Sequence, residues 1–138
     1  MKIRSLLAGL ALGFLILVRA TAQDAQPPVV TELQAVISQV ITKARAGQDS
    51  AADLAPEIAA FDAIVAKYRG SDAAAAAEAL LVKASLFAQV INDEAAARTI
   101  LAQVQTDFPG TEAAQNAEKI TASLDRAAAA EAAAAALV

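Results

Sequence analysis

From Leu33 onward, apolar side chains return every third or fourth residue, in five blocks divided by glycine, proline or an Asn-Asp pair. That period lines one face of an α-helix and does not fit a strand, whose faces alternate at every second residue. The first block is Leu33, Val36, Ile37, Val40, Ile41 and Ala44. Thr31, with Gln34 three residues on, has the pattern of a capping box, and Gly47 marks a stop, so the spacing predicts a helix over 32–46. Ser50 or Asp53 offers a start for the second block, Leu54, Ile58, Phe61, Ile64, Val65 and Tyr68, which ends at Gly70. Pro56 falls in its first turns, where a missing N–H is tolerated. Ser71 or Asp72 caps the third helix, with Ala77, Leu80, Leu81, Ala84, Phe87 and Ile91 inward, and Asn92-Asp93 breaks it. Asp93 caps the fourth, with Ala97, Ile100, Leu101, Val104 and Phe108 inward. Pro109-Gly110 ends that helix, and Thr111 opens a fifth marked by Ala117, Ile120 and Leu124.

Beyond Arg126 the chain is almost pure alanine, interrupted by Glu131. Alanine is the best helix former but buries little area, so this stretch predicts a helical extension that frays at its end, with nothing to anchor a core. No run of β-branched residues alternates with period two. The expected fold is all-α: about five helices in stacked antiparallel hairpins, with the hairpin domain over 31–126 and an alanine-rich helical tail over 127–138.

The N-terminus has a different character. Lys2 and Arg4 precede an apolar run from Leu6 to Val18, Arg19 closes it, and Ala20-Thr21-Ala22 offers a small-x-small cleavage site. This is the layout of a secretory signal peptide over 1–22, and the run is shorter than the roughly 20 residues that cross a bilayer. The expectation is a periplasmic or secreted protein beginning at Gln23, with a linker over 23–30 stiffened by Pro27-Pro28. The alternative retains the segment as a membrane anchor. Cleavage removes Lys2, Arg4 and Arg19, leaving eight of the eleven basic residues against all fifteen acidic ones and a net charge of −7. Such a surface repels phosphate backbones, so nucleic acid is not an expected partner.

The chain has no Cys, His or Trp. Disulfides, thiolate metal sites and the usual neutral-pH general base are therefore excluded. Asp53 and Glu57 lie one turn apart, but acids suit a solvated first turn of a helix, and Asp72, Asp93, Glu94 and Glu112 read the same way. No histidine activates Ser38, Ser50, Ser71, Ser85 or Ser123, and Lys83 and Ser85, two residues apart, face different ways on a helix. Tyr68, the single tyrosine, falls on an apolar stripe and reads as packing. These readings predict no enzyme activity, no cofactor and no metal. Interfacial membrane helices carry lysine-rich polar faces, and these helices do not.

A shift of forty residues places Phe61, Ile64, Tyr68, Gly70 and Ser71 on Leu101, Val104, Phe108, Gly110 and Thr111. The order of features (stripe, aromatic, glycine, hydroxyl, next helix) predicts stacked helical hairpins sharing one core. Ala97, Leu101 and Val104 followed by Phe108-Pro109-Gly110-Thr111 resemble the end of a tetratricopeptide repeat, as found in exported envelope proteins such as the Tol–Pal coordinator and the outer-membrane assembly lipoproteins. The likeness covers roughly residues 52–124. It departs from the family at Ser85 and Ala88, where the first helix usually carries a small residue and a tyrosine, and at Tyr68-Arg69-Gly70, which lacks the proline. Residues 32–124, with AGQDSAADLAPEIAAFDAIVAKYRG and LAQVQTDFPGT, also resemble the helical N-terminal region of exported TlpA-type thioredoxin-like proteins; no redox residue carries over to a chain without cysteine.

These likenesses imply a non-enzymatic interaction or scaffold module of the cell envelope, binding another envelope protein or peptide segment or associating with itself. Contact with a membrane is implied only if the signal segment stays uncleaved. The alternatives are the helical half of a thioredoxin-like protein and a membrane-anchored helical spacer. In the repeat family the first helix of each hairpin lines the concave face, which points to Gln39, Lys43, Lys83 and Gln89 as the candidate partner surface.

Overall fold

The computed structural model describes residues 27–137; the signal segment, 1–22, and the linker as far as Gln26 lie outside them. Five α-helices follow in order: α1 (Pro28–Arg45), α2 (Ala55–Tyr68), α3 (Ala73–Leu86), α4 (Glu94–Asp107) and α5 (Glu112–Ala136). A π-helical turn, Phe87–Ile91, continues α3. No strand occurs among the described residues, and the protein is all-α.

The first helix starts earlier than its spacing predicts. Pro27 occupies the cap position in extended conformation and Pro28 is the first helical residue, so Thr31 lies inside α1 and caps nothing. Proline suits that position because its fixed φ is already helical and its missing N–H would have had no partner. Starting there also buries Val29 and Val30, 6% and 5% exposed, which therefore belong to the core and not to a linker. At the other end Gly47 stops α1 at φ +83°. Its N–H donates to the Ala44 carbonyl and that of Gln48 to the Lys43 carbonyl, at 3.1 and 2.9 Å, so two orphan carbonyls are satisfied at once.

The second helix starts at Ala55, later than either Ser50 or Asp53. The Asp53 N–H donates to the Ser50 hydroxyl, which in turn donates to the Asp53 carboxylate, at 3.1 and 2.7 Å. These bonds tie off a separate turn that delivers Leu54 into the core, and Pro56 follows in the first turn of α2. The remaining starts fall at predicted caps. Asp72, Asp93 and Thr111 each accept a backbone N–H three residues on, from Ala75, Ala96 and Ala114, all at 3.1 Å. Thr111 also donates to the Phe108 carbonyl at 2.7 Å, bracing the turn through Pro109-Gly110.

Ion pairs display the topology. Glu32 in α1 meets Lys67 in the last turn of α2, while Lys43 near the end of α1 meets Glu57 in the first turn of α2, so the two helices are antiparallel. Asp62–Lys83 and Arg98–Asp125 tie α2 to α3 and α4 to α5. Arg69, just past α2, bonds Asp107 at the end of α4 and lies 5.5 Å from the Phe108 ring, holding those two helix ends side by side.

The third helix is central, in contact with α2, α4 and α5. Contact on several sides explains why Ala76, Ala79 and Leu86 join Ala77, Leu80, Leu81 and Ala84 in the core. The π turn then alters the expected stripe: Val90 is buried, and Phe87 and Ile91 are only half-buried. The Ser85 hydroxyl donates to the Leu81 carbonyl just upstream, a bond that loosens the helical ladder. The turn closes on Asn92 at φ +62°, with the Asp93 N–H donating to Phe87 O at 2.8 Å.

At the forty-residue offset, Phe61 and Leu101 are both buried, but the junctions differ. Asp72 caps α3 whereas Thr111 caps α5, so the two starts fall one residue out of step. Gly110 adopts φ +82° and Gly70 does not, because Arg69 leaves α2 in helical conformation. The fifth helix is the longest. Its 25 residues span about 37 Å at 1.5 Å per residue, and beyond Asp125, where Arg98 reaches across from the first turns of α4, residues 126–137 are exposed.

Leu101→Ala should lower the free energy of unfolding by about 3 kcal/mol in a urea titration, the usual cost of emptying a buried leucine site. Asn92→Val should cost about 1–2 kcal/mol, since a β-branched residue resists the left-handed conformation. Deletion of residues 127–138 should leave the thermal midpoint within about 2 °C of the full chain, because residues 127–137 are all exposed.

Candidate functional site

Glu57 is the one charged residue buried among the described residues, at 2% exposure. Its reading as part of a solvated first turn is therefore corrected. Antiparallel packing brings the last turn of α1 beside the first turn of α2, where Lys43 Nζ lies 2.9 Å from Glu57 Oε1 and also donates to the Asp53 carbonyl at 3.1 Å. A buried carboxylate needs such a partner, because transfer from water costs several kcal/mol if the charge is left alone. Asp53 itself stays exposed, bonded to Ser50. The burial of Glu57 was missed from sequence because the only signal lay across the hairpin, in a lysine one turn before Gly47 and a glutamate one turn after Leu54.

The four candidate surface residues occupy different settings. Gln39 is exposed on α1. Lys43 is engaged with Glu57, its side chain 30% exposed, and Lys83 is engaged with Asp62 at 2.7 Å, its side chain 15% exposed. Gln89 sits half-buried in the π turn, with Oε1 buried and unbonded. No hydrogen bond joins any two of them, and the two lysines spend their charge on α2.

Elsewhere α1 and α2 leave a shallow open groove of about 320 Å³ between Glu32, Ala35, Val36, Ala60, Ala63, Ile64 and Lys67. Its walls are largely apolar, with the Glu32–Lys67 pair at one end. The hydrogen bond from Lys67 holds the Glu32 carboxyl below its ordinary range, and Glu32 in turn raises Lys67. The lysine ammonium also lies 5.3 Å from the Tyr68 ring centroid. Tyr68 is half-buried against the core, in keeping with a packing role.

Glu78 on α3 has the opposite setting. Burial raises its carboxyl above the ordinary range, and the nearby Glu112 carboxylate adds to the effect. Among the described residues no three Asp or Glu side chains gather as a metal-binding group. Comparison of the chain with family models, curated proteins and solved structures finds no match in any of the three.

Lys43→Met should cost about 2–3 kcal/mol of stability, less than a fully buried pair because the lysine is partly solvated, and Lys43→Met with Glu57→Leu should recover most of that loss. A double-mutant cycle in urea checks both values. Glu78 contributes with the opposite sign to a paired carboxylate: its folded-state pKa is raised, so the ionised form is disfavoured and stability rises as pH falls through that value. Glu78→Gln should therefore stabilise the protein at pH 7, by about 1 kcal/mol or less, and flatten the stability profile just above the ordinary carboxylate range. A profile unchanged by the substitution would assign the slope to other groups.

Proposed function

We propose that this chain is an exported, non-enzymatic helical module, resembling tetratricopeptide repeats, that presents a surface to another protein of the cell envelope. The observation that carries this reading is the way the helices use their side chains. Each helix spends its apolar face on its neighbours, and Leu137 is the one large apolar residue exposed among the described residues. Apart from alanine, glycine, proline and Leu137, the exposed residues are polar or charged among the described residues. Lys43, Lys67, Arg69, Lys83 and Arg98 are paired with carboxylates of the fold itself, which leaves Arg45, Lys119 and Arg126 against the exposed Asp53, Asp72, Asp93, Glu112, Glu118 and Glu131, none of them in an ion pair among the described residues. A surface of this kind favours a polar, salt-sensitive contact with a basic segment of a partner over an obligate apolar interface.

The reading has two parts that one experiment separates. Crosslinking of the tagged protein in envelope fractions, followed by mass spectrometry of bait and prey, should return bait beginning at Gln23 and a defined envelope partner. Capture should weaken several-fold as ionic strength rises from about 0.05 to 0.5 M, because exposed charges are screened over a few ångströms at the higher salt. Bait that retains Met1 in the membrane fraction would favour an anchored spacer instead. A partner whose capture ignores salt, or is unaffected by Glu112→Lys with Glu118→Lys, would overturn the acidic-surface reading.

A further inference from the structure

We draw no further inference here: the strongest candidate, the shallow apolar groove between α1 and α2 walled by Ala35, Val36, Ala60 and Ile64, carries nothing because no feature of the structure shows what covers it.

Discussion

A core in which nine of the twenty-seven buried apolar residues are alanine must be closed by distance as well as by bulk. Each alanine contributes one methyl group, so its burial is worth little unless a neighbouring backbone comes close enough to cover it. Ala44, Ala76, Ala77, Ala79, Ala84, Ala97, Ala113, Ala114 and Ala117 are all buried, and four of them lie on α3. That helix can lie against α2, α4 and α5 because small residues occupy several of its sides. Larger side chains, with Leu33, Leu54, Phe61, Leu80, Leu86 and Leu101 the most deeply enclosed, make up the other two-thirds of the core. Together these two classes make one continuous core.

Much of this arrangement was legible in the sequence, for a local reason. The caps at Asp72, Asp93 and Thr111 and the stop at Gly47 depend on residues within one turn of the bond they make. The inward residues of α4 were readable because that helix keeps one regular stripe, from Ala97 to Phe108. The start of α1 was not, since Thr31 has the pattern of a cap and Pro27-Pro28 that of a linker, whereas the helix opens at Pro28 and buries Val29 and Val30. The π turn was also hidden: its consequence at Val90 depends on a local change of helical pitch that a fixed period of 3.6 residues does not contain.

Less of the candidate site was legible, because its charges are settled between helices. Lys43 and Lys83 stand off the apolar stripes and look free along the chain, yet each meets a carboxylate of α2 once the helices pack. Glu78 stands in the mirror situation. It is flanked in sequence by alanines, and its strained ionisation comes from burial and from Glu112, a residue brought near by the approach of α5 to α3. Pairing across helices is what separates a solvated charge from a constrained one, and sequence spacing alone does not report it.

The Lys43–Glu57 pair also bears on the register of the first hairpin. The buried faces of α1 and α2, Val29 to Val40 and Phe61 to Val65, are apolar side chains that recur with the helical turn, so a slip of one helix along the other by a turn, about 5.4 Å, would still bury apolar surface. Apolar burial is non-directional and penalises such a slip only through imperfect packing. A buried carboxylate does not share that tolerance, because in a slipped arrangement Glu57 would lose its cation while remaining inside. The pair thus acts as a locating pin for the first hairpin, penalising its misaligned forms more than it strengthens the aligned one.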